Sequence, residues 1–441
     1  MNNDASVQVT YDLSLKGLIK YAAPSALLYL FISLYGVVDS LLIDRFINET
    51  AIAAINIFLP INALFVGLGY MTGTGANAAI MKAQGEGNTS RAQNIYNQII
   101  TFSCVVSVVL PVLLFIFTSQ VTRLLGATAD NISYVNVYYR ICLCFMPALL
   151  ISSIMNLMLL GEGRVGTVVT LEISGGLTNC ILDVIFMKYL DMGIEGAALG
   201  TGIGYVLQTA AVLIIIKRIS IYKMRLCAVH IKDVGPVLFN GVSELLSSLF
   251  TGILTVILNN VAGYFWNSVG VSVVCVLSNI SYMTSAVFMG IMVVLEPVIA
   301  YYYGQKNKKA VGKLLANGMT LMIIVSIILS VAVFALRSGI SQAFFDKESE
   351  YFSIAVTALA FAGLSYLFSG FNNFVSGYFT ALSNGKISGL FSFVRNLLIY
   401  SVSVLILTNV IGGIGMWAAL VTSELLSVLI GVKLLQRYGK I

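Results

Sequence analysis

The chain is dominated by long apolar runs, and a run of roughly 20 apolar residues is long enough to cross a lipid bilayer as a helix. Only 10% of its 441 residues are charged and 58% are hydrophobic, whereas soluble domains are about a quarter charged. The sequence therefore predicts an all-α polytopic membrane protein with twelve transmembrane helices. The twelve runs lie at about 17–43, 52–81, 95–118, 135–160, 166–188, 194–216, 236–262, 268–302, 312–336, 351–381, 387–409 and 413–435.

Basic residues are distributed unequally between the loops on the two predicted sides of the membrane. The loops on the side of both termini carry most of the Lys and Arg residues, and the opposite loops hold only Arg45, Arg123, Lys188, Arg337 and Lys347. Because cytoplasmic loops are enriched in Lys and Arg, we expect both termini in the cytoplasm of a multi-pass protein of the plasma membrane. The charges are scattered over short loops, which argues against nucleic-acid binding.

The chain also repeats itself. "KAQGEGNTSRAQ" follows the second run and "YYYGQKNKKAVG" follows the eighth, and the two segments align with Gly85 on Gly304. The same offset aligns Gly196 with Gly415, at the start of the sixth and twelfth runs. An even number of helices in each repeat predicts two pseudo-symmetric six-helix lobes of the same orientation. We expect an N-lobe at 1–217, a cytoplasmic linker at 218–233 and a C-lobe at 234–441.

Two carboxylates lie within apolar runs that have no basic residue at their centres. Asp39 is in the first run, one helical turn after Tyr35, and Asp183 is in the fifth run, one turn after Asn179. Residues i and i+4 share a helix face. A carboxylate at the centre of a membrane helix costs about 3 kcal/mol on insertion scales, so such residues are functional by default. The pair predicts a site for a proton or a small cation with oxygen ligands.

Other charged residues in the runs favour simpler interpretations. Glu172 and Glu296 lie near predicted cytoplasmic ends, where an interface position or a structural pair is the more economical explanation. Glu424 is deeper and has no evident partner in the sequence. Arg140 and Arg395 are the cations available for such pairs.

The sixth run, "GIEGAALGTGIGYVLQ", places glycines at every fourth position and predicts a closely packed neighbouring helix. Together with "PSALLYLFISLYGVVDSLLI", "GYMTGTGANAAIMKAQGEGNTSRA", "LTNCILDVIFMKYLDMGIEGAALGTGIGY", "EPVIAYYYGQKNKKA" and "GGIGMWAALVTSELL", it carries a resemblance to a known family. The chain resembles the multidrug and toxic compound extrusion (MATE) transporters over nearly its whole length.

This resemblance implies two six-helix bundles around a central cavity, and export of organic, often cationic, compounds in exchange for protons or sodium ions. It implies that Asp39, Asn179, Asp183 and Thr201 bind the coupling proton or sodium, with Asn156 as a polar neighbour. Tyr35 is a secondary candidate because it shares a face with Asp39. Glu244 resembles a C-lobe residue of some members. The tenth run has Asn372 and Asn373 in place of an acid, so a complete C-lobe sodium site is not implied.

We therefore predict a secondary active efflux antiporter whose partners are a small organic substrate and the lipid bilayer, and which needs no cofactor. A monomer is expected. A flippase of a lipid or lipid-linked saccharide is the alternative, although only Arg140 and Arg395 would serve an anionic substrate. An intramembrane enzyme is disfavoured, because the runs contain no histidine and no nucleophile motif. A receptor or scaffold does not explain the acids at mid-membrane.

Overall fold

The computed structural model describes residues 11–46, 49–127 and 132–439, without the side chains of 35–46, 49–54 and 56. All regular structure in this part of the chain is helical. The helices are α1 (Leu15–Phe46), α2 (Glu49–Gly85), α3 (Thr89–Ile116), α4 (Thr118–Leu124), α5 (Ile132–Gly161), α6 (Val165–Asp183), α7 (Gly193–Ile219), α8 (Ile231–Asn240), α9 (Val242–Gly304), α10 (Lys308–Phe344), α11 (Glu350–Ala381), α12 (Gly385–Phe393), α13 (Tyr400–Ile411) and α14 (Ile414–Tyr438).

Two of these helices continue through a wider turn. The π-helical segment Val184–Tyr189 extends α6, and Val394–Ile399 joins α12 to α13. With these continuations, eleven described segments are long and apolar enough to cross a membrane. One of them, α9, has 63 residues, so a straight helix of that length would extend about 95 Å, three times the bilayer core.

Helix α9 reverses direction within its length and so supplies two crossings. Asn267 has φ 53° and ψ −139°, which is not helical. A Cβ on Gly270 would lie 2.5 Å from the carbonyl oxygen of Ala262, although eight residues of continuous helix separate two positions by about 12 Å. The turn at Asn267 therefore brings the two arms together. The prediction of an all-helical polytopic membrane protein with twelve crossings is confirmed.

The repeat is visible in the backbone. Residues in the left-handed conformation follow corresponding helices in the two halves, at points where the backbone turns sharply. Gly163 after α5 (φ 77°) corresponds to Ser383 after α11 (φ 58°), and Gly87 after α2 (φ 76°) corresponds to Lys306 after α9 (φ 55°). Both pairs agree, to within a single position, with the offset that aligns Gly85 with Gly304 in the sequence.

The contacts divide the chain into two compact units. Unit 1 contains residues up to Ala26, the segment Asn77–Ala92 and the segment Ile253–Ile441. Unit 2 contains Leu27–Ala76 and Gln93–Gly252. Helices α1, α2, α3 and α9 thus contribute to both units. The division into lobes at 1–217 and 234–441 describes the repeat in the sequence and stays a prediction.

Within unit 1, the repeat-related glycines Gly85 and Gly304 lie in one close helix contact. A Cβ on Gly85 would collide with the carbonyl oxygen of Tyr301, and a Cβ on Gly304 would collide with that of Lys82. Helices approach this closely only where side chains are absent. Within unit 2, α7 packs against both α5 and α6, and these three helices hold most of the predicted site.

Candidate functional site

Helix α6 has one polar face and one apolar face. Glu172, Asn179 and Asp183 are spaced by seven and four residues, so all three lie on the same side of the helix. Leu177 and Ile181, on the other side, are 53% and 59% exposed, as expected of side chains that face lipid. The polar face is turned toward α5 and α7, and its residues meet partners from both helices.

Asp183 is completely buried, at the last α-helical turn before the π-helical extension. Its carboxylate lies against Gly200 of α7, where any Cβ would collide with Oδ1. The absence of a side chain at Gly200 therefore makes room for this carboxylate between α6 and α7. Burying an ionised carboxylate costs several kcal/mol unless a cation or proton compensates it.

Asn179, one turn earlier, is 4% exposed. Its Nδ2 donates a hydrogen bond of 3.2 Å to Oγ1 of Thr201 on α7. Gly204 lies beside it, and a Cβ there would approach Cβ of Asn179 to 3.2 Å. The structure thus brings together Asn179, Asp183 and Thr201, three of the four residues that the sequence assigned to the coupling ion, and all three carry oxygen atoms that suit a proton or sodium.

Asn156 and Glu172 form a second polar contact, two turns before Asn179 toward the start of α6. Nδ2 of Asn156, on α5, donates a hydrogen bond of 2.6 Å to Oε1 of Glu172. The side chain of Gln208, on α7, also donates to this carboxylate. Sequence reasoning placed Glu172 at an interface and did not identify Gln208. The spacing of Glu172 and Asn179 by two helical turns is the signal that would have placed both on one face.

The structure describes the side chains of only some of the remaining candidates. Tyr35 and Asp39 lie on α1, but their side chains are outside the described part of the chain. Glu244 lies in the first turn of α9, is half-buried, and belongs to unit 2 as Asp183 does. Its participation in ion or substrate binding stays a prediction.

Unit 1 contains an intramembrane carboxylate of a different kind. Oε1 of Glu424, on α14, is 2.8 Å from Nη2 of Arg395. Nδ2 of Asn372, on α11, donates to Oε2 of the same carboxylate at 2.6 Å and to the carbonyl oxygen of Glu424 at 2.9 Å. The partner that the sequence did not reveal for Glu424 is therefore Arg395, one of the two cations expected in such pairs.

A further carboxylate lies outside the membrane-spanning helices, between α5 and α6. Glu162 accepts hydrogen bonds from Oγ of Ser220 at 2.6 Å and from the backbone N–H of Ile221 at 3.1 Å. Burial raises the pKa of Glu162, and these two hydrogen bonds oppose the shift. The loop after α5 thereby holds the start of the linker between α7 and α8.

The MatE family model matches the chain twice, at residues 24–185 and again at 245–406. The chain belongs to the MatE family. Because one family model matches both halves, the two halves repeat one unit. The membership makes this chain a membrane transporter and not an enzyme, as the sequence predicted.

Curated relatives of this MatE protein include the multidrug export protein MepA of Staphylococcus aureus (strain MRSA252), which is 25% identical over 381 residues, 80% of each chain. MepA of Staphylococcus saprophyticus is 22% identical over 365 residues, again 80% of each chain. Both matches extend over most of each protein.

Solved structures share the fold. A multidrug resistance MATE family transporter in an outward-facing conformation has a TM-score of 0.88 and 19% identity, with 99% of this chain and 98% of that chain covered. A MOP superfamily transporter from Pyrococcus furiosus has a TM-score of 0.86 and 18% identity over the full length of both chains. At this identity the likeness establishes the fold of the MatE chain, and its substrate is a separate question.

Proposed function

We propose that this chain is an antiporter that exports organic compounds, many of them cationic, in exchange for protons or sodium ions. Membership of the MatE family, together with curated relatives that are multidrug export proteins, supports export. We further propose that it works as a monomer in the plasma membrane, with both termini in the cytoplasm. The distribution of basic residues favours this orientation.

The coupling ion binds at Asp39, Asn179, Asp183 and Thr201 in this proposal, with Tyr35, Asn156 and Glu244 as secondary candidates. The observation that carries it is the burial of Asp183 between α6 and α7, against Gly200 and next to the Asn179–Thr201 hydrogen bond. A carboxylate in that position favours one packing of α6 on α7 when it is ionised and another when it holds a proton or sodium.

A coupling group has to bias the transporter strongly between its two states. A shift of a two-state population from 1:99 to 99:1 takes about 5.5 kcal/mol of differential binding. Binding of a proton or a cation compensates a buried negative charge, whose desolvation costs several kcal/mol. Compensation of a buried charge at Asp183 is of the same order of magnitude. The direction of the imposed gradient sets the direction of export.

Transport in proteoliposomes tests the proposal. Uptake of the fluorescent organic cation rhodamine 6G is measured under an imposed proton gradient and, separately, a sodium gradient. We expect wild-type transport under one of them, and the loss of gradient-driven transport in Asp183→Asn and in Asp39→Asn.

The matched control is Ser403→Ala, because Ser403 is a buried polar residue of the second repeat within one position of the residue that the repeat offset aligns with Asp183. It should behave as wild type. Undiminished gradient-driven transport by both aspartate variants would refute the coupling site, and wild-type inactivity under both gradients would refute export of organic cations.

A further inference from the structure

Glu172 is an intramembrane carboxylate with an unusual set of neighbours. Its recorded hydrogen-bond donors are the amides of Asn156 and Gln208, at the place where α5, α6 and α7 meet. Among the residues that the structure describes, it takes part in no ion pair, whereas Glu424 pairs with Arg395. Its negative charge therefore remains without a cation in this part of the molecule.

The two amides favour the ionised form of Glu172. Hydrogen bonds donated to a carboxylate stabilise its charged state, and those to an ionised acceptor are about twice as strong as neutral ones. Burial has the opposite effect, because desolvation disfavours the charged form of a carboxyl group. A positively charged ligand beside Glu172 offsets that cost.

Asn156 provides an independent sign of a ligand. Its side chain is 3% exposed, and one end of its amide donates to Glu172. The other end, Oδ1, is buried and accepts no hydrogen bond from any side chain or backbone group within the described residues. Buried acceptors are usually satisfied, so an unpaired one beside a carboxylate calls for a donor. A group that is both positively charged and a hydrogen-bond donor satisfies both residues.

The surroundings keep Glu172 within reach of such a ligand. Glu172 is half-buried, not sealed, and it lies on the face of α6 opposite the lipid-facing Leu177. Three helical turns, or about 16 Å along the helix axis, separate it from Asp183. Gly175 leaves space for Gln208, since a Cβ there would lie 3.3 Å from Cδ of Gln208.

We propose that Glu172, positioned by Asn156 and Gln208, is a docking group for the positively charged nitrogen of organic substrates, separate from the ion-coupling site at Asp183. The proposal rests on the proposed function, because it assumes that organic cations are transported. It makes Glu172 a determinant of specificity for cationic over neutral substrates.

The test compares two probes of different charge, cationic rhodamine 6G and neutral Nile red, binding to purified full-length protein in detergent. In Glu172→Gln we expect the dissociation constant for rhodamine 6G to rise about tenfold, which corresponds to about 1.4 kcal/mol. The constant for Nile red should stay within about twofold, a change of only a few tenths of a kcal/mol. In proteoliposomes, the half-saturation concentration for rhodamine 6G should rise while the maximal rate is maintained.

Two further variants keep the result interpretable. Ser392→Ala, at the corresponding position of the second repeat, should leave both probes unchanged. Gln208→Lys places an ammonium group beside Glu172 and should weaken rhodamine 6G selectively, which decides the matter even where Glu172→Gln does not fold. Three results would each overturn the proposal: equal weakening of both probes, unchanged rhodamine 6G binding, or loss of the dependence of transport on the gradient that drives the wild type. Wild-type failure to bind or transport rhodamine 6G would instead reject the proposed function.

Discussion

The two repeats keep polar contacts at the same places but build them from different residues. In unit 2, Asn156, Glu172 and Gln208 meet. At positions of the second repeat that match to within one residue of the offset between Gly85 and Gly304, unit 1 has Ser376, Ser392 and Ser427. Oγ of Ser376 is 3.0 Å from Oγ of Ser392, in the place of the Asn156–Glu172 hydrogen bond.

The difference distinguishes a polar contact that only stabilises helix packing from one that has a functional role. Serine hydroxyls satisfy one another or their own helix, as Ser427 does by donating to the carbonyl oxygen of Ser423 at 2.7 Å. The fold therefore does not need a carboxylate at this point. Glu424, a carboxylate within the membrane-spanning helices of unit 1, is instead paired with Arg395. A carboxylate held by two amides alone indicates a role beyond packing.

The largest effect is expected where α7 meets Asp183. Gly200→Ala would push the carboxylate of Asp183 out of its position. We expect gradient-driven transport to fall by about tenfold or more, because overpacking by even about 1.4 kcal/mol is a factor of ten. Gly166→Ala, in α6 with open space around it, is the control, and the initial rate in proteoliposomes is the measurement. A transport-competent Gly200→Ala would contradict the tight fit.

The ion pair of unit 1 offers the next test. Arg395→Met leaves Glu424 with Asn372 as a donor, which makes it resemble Glu172. We expect a loss of up to about 3 kcal/mol in the free energy of unfolding, since breaking a partly buried pair leaves an uncompensated charge in a desolvated position. Denaturant unfolding in detergent measures it, and Arg395→Met/Glu424→Gln should recover most of the loss. A negligible change in the free energy of unfolding would show that an amide donor alone stabilises this carboxylate. The contrast between Glu424 and Glu172 would then not indicate a functional role for Glu172.

The serines of unit 1 should matter less. Ser392→Ala removes one hydroxyl from the contact with Ser376. We expect about 1 kcal/mol or less of destabilisation in the same unfolding measurement, because a neutral hydrogen bond contributes about that much. Transport rates should be unchanged. A clear transport defect in this variant would mean that unit 1 also contributes to the binding of substrate.

The smallest effect concerns the loops after α5 and α11, where Glu162 and buried Leu382 occupy equivalent positions. Burial raises the pKa of Glu162 above its ordinary value of 4.5. Between the unfolded-state and folded-state pKa values the folded state binds more protons, so stability falls as pH rises through that window. Glu162→Gln should flatten this dependence in thermal unfolding midpoints recorded over the mildly acidic range up to neutral pH. An unaltered pH dependence of the unfolding midpoint in Glu162→Gln would mean that other groups cause it.

The sequence alone was sufficient for the membrane class, the twelve crossings and the internal repeat, because hydropathy and the separation of matching glycines are local properties of the chain. It also placed Asn179 and Asp183 on one helix face, since the periodicity of a helix determines which residues align. Proton or sodium as the coupling ion remained open, because both use the same oxygen atoms.

Only the tertiary structure decided which charges are neutralised. Glu424 and Arg395 are 29 residues apart, and Asn156 and Glu172 are 16 apart on different helices. Whether such residues meet depends on how each helix is rotated and packed against its neighbours, which apolar periodicity does not specify when a helix is hydrophobic on several sides. For the same reason, the hydrogen-bond partners of Glu172 could be identified only from the packing of α5, α6 and α7.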